Sequence, residues 1–182
     1  MGAALAQAAL AMGHQVTVIR GPVVVDYPQA ATVLPVVTTA EMLQVAKSKF
    51  RECDGVIGAA APCDYMPYTV RAQKISKTGQ PLMIELIETP DVVASLGQCK
   101  RADQWVVGFA LETEDQRFRA IVKLERKHCD LMVSNGPSAI EAATNEVELL
   151  SPAGDVLASI QGSKADVATQ LLAEIDARLM TV

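Results

Sequence analysis

The sequence predicts a three-layer α/β domain, mainly parallel, with an antiparallel hairpin near its C-terminus. Two observations carry that expectation. Short apolar runs alternate with stretches of helical length and pattern, which is how β-α-β units read in a chain. Several of those runs end in polar or small residues at their carboxyl side, at Ala60 to Asp64, Phe109 to Glu112 and Asn135. Open α/β sheets bind ligands at that edge.

Taken in order, Gly2 to Met12 is alanine-rich and helical, Gly13 suits the stop, and Gln15 to Ile19 alternates as a strand. The chain therefore opens helix then strand, where a doubly wound sheet would place a first strand and a phosphate-binding turn before that helix. Thr32 to Val37 reads as a second strand. Thr38 with Glu41 three residues on is a capping box that opens a helix through Glu52. Asp54 to Ala61 is the expected central strand, and Leu82 to Ile87 a strand within a looser stretch. Thr89 as N-cap and Pro90 at the first helical position start a short helix to about Cys99, whose first-turn amides suit an anion. Gln104 to Ala110 is the next strand, and Thr113 to His128 a helix with Lys123 and Lys127 on one face. Asp130 to Ser134 is apolar and strand-like. Glu146 to Leu150 and Val156 to Ile160 flank Pro152-Ala153-Gly154-Asp155, a hairpin signal. Ser163 with Asp166 caps a last amphipathic helix to about Met180.

The 182 residues suit one domain, residues 1–182, with a sizeable core; half are hydrophobic (50%) and 20% are charged. A net charge of −5 argues against a general nucleic-acid or membrane-surface binder, so any polyphosphate must meet a local basic cluster. The four cysteines show no CxxC spacing, and no signal-peptide pattern or long apolar span stands out. A reduced, cytoplasmic enzyme is the expectation.

The chemistry centres on Gly58 to Tyr65 and its continuation to Lys77. Small residues there let a ligand approach the backbone, Asp64 offers an acceptor or cation contact, and Lys74 and Lys77 offer mobile positive charge for phosphate. Taken singly, the candidates have plainer readings. Lys123 and Lys127 would be a solvated helix face, Phe109 a core aromatic, Lys74 a surface lysine and Asp64 a turn acid. Cys63 reads as a packing residue, and His14 and His128 as ordinary. No GxGxxG is present, which weakens a nicotinamide reading.

Ala60-Ala61-Pro62-Cys63-Asp64-Tyr65, Lys74-Ile75-Ser76-Lys77, Glu88-Thr89-Pro90-Asp91-Val92-Val93 and Val107-Gly108-Phe109-Ala110-Leu111-Glu112-Thr113 occur in one register. In order and spacing they resemble the phosphopantothenate–cysteine ligase family, over nearly the whole chain. The resemblance implies a Rossmann-like, ribokinase-like sheet that lacks its first strand and Asn-x-Ser-Ser-Gly loop. It implies joining of 4′-phosphopantothenate to L-cysteine through an acyl-cytidylate, with CTP as nucleotide, Mg²⁺, a homodimer, and often fusion to a flavin-dependent decarboxylase. ATP use, or a catalytically incomplete nucleotide-binding and dimerisation module, are the alternatives. Residue by residue, it makes Lys74 catalytic and assigns Ala60, Ala61, Asp64, Pro90, Asp91, Val92, Val93, Phe109, Lys123 and Lys127 to the nucleotide site; no metal ligand is assigned. Ser76 stands where many members have a further lysine, and Pro62-Cys63 replaces a small aliphatic pair.

Overall fold

A computed structural model describes residues 1–112, 115–135 and 144–180. Two helical layers enclose a five-stranded sheet ordered β3-β6-β7-β8-β9, built from Gly55–Gly58, Trp105–Leu111, Leu131–Asn135, Thr144–Leu150 and Val156–Ser163. The β3, β6 and β7 strands run parallel, and β8 and β9 continue the sheet antiparallel, so the sheet is mixed and the expected hairpin forms its far edge. Two smaller ribbons stand apart among the described residues. β1 (Thr17–Arg20) pairs in parallel with β2 (Thr32–Pro35), and β4 (Tyr65–Pro67) pairs antiparallel with β5 (Leu86–Glu88).

One face is covered by α1 (Gly2–Ala11) and α5 (Lys164–Ile175), the other by α2 (Thr39–Phe50), α3 (Val92–Cys99) and α4 (Gln116–Arg126). Strand alternation sorts the side chains between the two layers. Val107, Val133, Val147 and Leu149 meet Leu171, Leu172 and Ile175 of α5, while Val106, Ala110 and Met132 meet Leu96 and Leu124. Each such aliphatic side chain removed from water contributes about 1.5–3 kcal/mol. α1 rests along α5, and Ile19 of β1 and Val56 of β3 pack on the same core beneath α2. The two unjoined sheets are thus held by shared helices, and β1 and β3 each keep one edge unpaired among the described strands.

Close approach fixes two glycines. A Cβ on Gly97 of α3 would stand 2.0 Å from the Lys127 carbonyl, so α3 and α4 cross in backbone contact there. A Cβ on Gly55 would stand 2.0 Å from the Trp105 ring, its neighbour in the parallel pair.

Both expected capping boxes form. Glu41 N–H donates to Thr38 Oγ1 at 3.1 Å and Asp166 N–H to Ser163 Oγ at 3.2 Å, each acid returning to its cap residue. Other boundaries differ. The strand expected to be central is instead the edge strand of the five-stranded sheet among the described residues, and it stops at Gly58, leaving Ala60 and Ala61 exposed beyond it. The third helix is capped by Asp91, whose Oδ1 accepts from Ala94 N–H at 3.0 Å. Pro90 therefore precedes the helix, because Thr89 is occupied elsewhere: its hydroxyl donates to the Cys63 carbonyl. The expected strand from Leu82 is only β5, and its partner β4 was not anticipated. The hairpin is longer than expected at both arms, and α5 gives way to a π-helical turn over Asp176–Met180. The start of the fourth helix expected at Thr113, and Gly136-Pro137, lie outside the described residues.

Candidate functional site

The carboxyl ends of β3 and β6 bring together most of the residues the sequence singles out. Beyond Gly58 the chain runs exposed through Ala60, Ala61 and Asp64. Thr89 fastens this segment to the entry of α3, its N–H donating to the Asp64 carbonyl at 2.9 Å and its hydroxyl to Cys63. Asp64 and the Pro90–Asp91 corner are therefore neighbours.

Behind them the packing is tight. A Cβ on Gly58 would come within 2.5 Å of Val93 Cγ2, so the small strand residue is what lets α3 lie against the strand end. Val92 is buried, and Val93 packs on the same core. These two residues can offer a ligand only their backbone.

α4 supplies the positive charge. Lys127 Nζ lies 3.2 Å from Asp91 Oδ2, so Asp91 both caps α3 and holds a lysine of the next helix. Lys123, one turn earlier, lies 2.5 Å from Glu112 Oε1. Glu112 follows β6 directly, its side chain is only 8% exposed, and its N–H donates to the Asn135 carbonyl at 3.3 Å. Such a buried acid is sustained by its cationic partner, since an unpaired carboxylate would be costly there. Sequence reading singled out the lysines by their spacing but assigned no role to Glu112; its place at the end of β6 was the available signal.

Two expected residues stand apart. Phe109 shares its face of β6 with Val107 and packs toward α1 and α5, whereas Ala110 and Glu112 face α4. Phe109 is thus on the opposite side of the sheet from Lys123. Lys74 lies exposed in the irregular stretch between β4 and β5, with no ion pair to another of the described residues.

A depression of about 650 Å³ adjoins the site where α4 begins, lined by Gln116, Phe118, Ser134 and Glu146. Arg117 bridges it, bonding Glu148 through Nε at 2.7 Å and Nη2 at 2.6 Å, and this pairing holds the Glu148 carboxyl below its usual range. No local pattern in the sequence pointed to that pair. Cys129 lies beneath the site in the core, and burial pushes its thiol up to about 11, whereas Cys63 is exposed. Among the described residues no group of three or more His, Cys, Asp or Glu side chains could hold a metal ion, and no helix is long and apolar enough to cross a membrane.

Residues 1–179 match the family described as the DNA/pantothenate metabolism flavoprotein C-terminal domain. The chain is 38% identical over 180 residues to a cysteine/cysteine sulfinic acid decarboxylase of an unknown prokaryotic organism, covering 96% of this chain and 50% of that protein. It is also 38% identical over 182 residues to the coenzyme A biosynthesis bifunctional protein CoaBC of Bacillus subtilis, covering 97% of this chain and 45% of that protein. The chain thus spans about half the length of the curated relatives it matches. The crystal structure of the C-terminal domain of a CoaBC protein superimposes with a TM-score of 0.80 at 28% identity, over 98% of this chain and 82% of that one. A Cab2 H337A mutant in complex with phosphopantothenate-cysteine shares the fold, with a TM-score of 0.80 at 17% identity over 98% of this chain and 77% of that one. By the extent of that match, the chain belongs to the DNA/pantothenate metabolism flavoprotein C-terminal domain family.

Proposed function

We propose that this chain is a phosphopantothenate–cysteine ligase domain of coenzyme A biosynthesis, using CTP. The observation that carries the reading is the convergence of the Asp64 loop, the α3 entry and the α4 lysines at one edge of the sheet, with the four sequence motifs in register. A carboxylate does not condense with an amine at neutral pH, because oxide would have to leave. In this reading the phosphopantothenate carboxylate attacks the α-phosphorus of CTP, a C–O–P bond forms, and pyrophosphate leaves. The cysteine amine then attacks the acyl carbon, an amide forms, CMP departs with the bonding pair, and the amine proton passes to solvent.

The chain's own groups suit that charge flow. The backbone at Ala60, Ala61 and Pro90 to Val93 approaches the nucleotide, and the α3 N-terminus favours phosphate. Asp64 contacts ribose, base edge or cation, and Phe109 takes part only if the base reaches the α1 side of β6. Lys123 and Lys127 face the phosphates, and Lys74, carried in by its exposed arm, meets the charge on the reacting phosphorus. Mg²⁺, when bound with CTP, neutralises phosphate charge; Asp64 is the acid nearest in kind to hold it.

Apolar side chains exposed on the same arm, Val70 at 85% and Met83 at 94%, support a homodimer that covers them. The greater length of the relatives, and the decarboxylase name of one, support fusion or association with a flavin-dependent decarboxylase. Four unpaired cysteines suit a reducing cytoplasm. The exposed, irregular arm that carries Lys74 favours a second reading, a nucleotide-binding and dimerisation module without turnover.

Pyrophosphate release from the purified chain with 4′-phosphopantothenate, Mg²⁺ and either CTP or ATP, with and without cysteine, decides between them. CTP-dependent release, reduced at least a hundredfold in Lys74→Ala, is expected from loss of a transition-state charge contact. Faster release with ATP would reassign the nucleotide, and binding without release would favour the module.

A further inference from the structure

We propose that Glu112 is a positioning residue for the nucleotide phosphates, holding the Lys123 ammonium at the carboxyl edge of the sheet so that its remaining N–H groups face the ligand. The inference rests on the ligase reading and deepens it. Glu112 is nearly buried, and Lys123 Nζ stands 2.5 Å from its Oε1. At that separation one ammonium N–H is directed at the carboxylate as a charge-assisted bond, and the other two donors are not committed to the acid. Lys123 itself remains 37% exposed, so its ammonium is not sealed in with the acid.

The backbone makes the anchor firm. Glu112 N–H donates to Asn135 across the ends of β6 and β7, so the carboxylate sits on two sheet strands and not on a loose loop. A free lysine must surrender the freedom of four torsions to meet a phosphate, whereas one already fixed surrenders less. Lys127 offers a comparison on the same helix. Its partner Asp91 is also committed to the α3 cap and is more exposed, at 37%, so that pair is the looser of the two.

The test is a double-mutant cycle in CTP affinity, measured by calorimetry on the full chain with wild type, Glu112→Gln, Lys123→Met and the double variant, with thermal melts to confirm folding. Glu112→Gln is expected to lose roughly tenfold in affinity, and to lose almost nothing further once Lys123 is Met. A merely structural Glu112 would cost the same factor in both backgrounds, and that result, or no loss in either, overturns the proposal. Should Glu112→Gln not fold, Glu112→Asp replaces it in the same cycle, with a smaller loss expected under the same criterion. A second readout needs no nucleotide. With lysine methylenes labelled for NMR, the two ε-hydrogens of Lys123 should resolve in the wild-type chain and merge in Glu112→Gln. A fixed Lys123 in a chain that binds neither CTP nor ATP would sink the ligase reading, leaving a pair that only ties α4 to β6; a freely turning Lys123 in a chain that does bind would sink the positioning role alone.

Discussion

Cys129 shows how burial sets chemistry at a single side chain. The thiol is enclosed by Gly108, Met132 and the α3–α4 crossing, and its pKa rises to about 11 because the thiolate would lose its hydration. The folded chain keeps this proton at pH values where the unfolded chain has released it. Stability therefore holds below the ordinary value of 9.0 and falls as pH climbs toward about 11, a change on the order of 2 kcal/mol. Denaturation midpoints across that range should fall less steeply in Cys129→Ala. In mildly alkaline solution iodoacetamide should label the exposed Cys63 and Cys99 and spare Cys129 until denaturant is added, read by peptide mass. Prompt labelling of Cys129 would show that the α3–α4 contact opens freely.

Helices were legible where their signals are local. Thr38 with Glu41 and Ser163 with Asp166 each complete their box within four residues, so chain order alone decides the cap. Removing the second cap with Ser163→Ala should cost about 1 kcal/mol, seen as a lower urea midpoint with an unchanged slope. A cap without tertiary consequence would leave the midpoint of the whole chain unmoved only if α5 were free of the core, and its five buried residues argue otherwise. Thr89 shows what local reading misses. Its side chain was available as an N-cap, but a carbonyl far back in the chain claimed it, and Asp91 took the cap instead. The same holds for the lysines of α4. Their spacing was visible, but their acids lie on β6 and α3, brought near only by folding. β4 carries no pattern in the chain because its three residues, one a proline, stay exposed even with β5 beside them, so no alternation of buried and exposed positions marks them.

At the scale of the molecule, the alternation of helix and strand was enough to give three layers, but not how the strands divide into sheets. That division depends on which edges meet, and strands that meet, such as β3 and β6, are far apart in the chain, so no local pattern decides it. It has a measurable result. Amides of β6, β7 and the inner hairpin strand β8 are bonded on both sides and covered by helices, while β1 and β3 have an open edge among the described strands. Hydrogen exchange should therefore be faster by at least tenfold in β1 and β3 than in β6 and β7; equal protection would mean that another copy or an unseen segment closes the edge. The contact between Gly55 and Trp105 gives this seam an optical signature. Trp105 is the only tryptophan of the chain, and its ring lies against the backbone of the edge strand that leads into Ala60 and Asp64. Its fluorescence therefore reports on the approach to the candidate site without any label, and a shift in its emission as nucleotide is added would register at β3 itself.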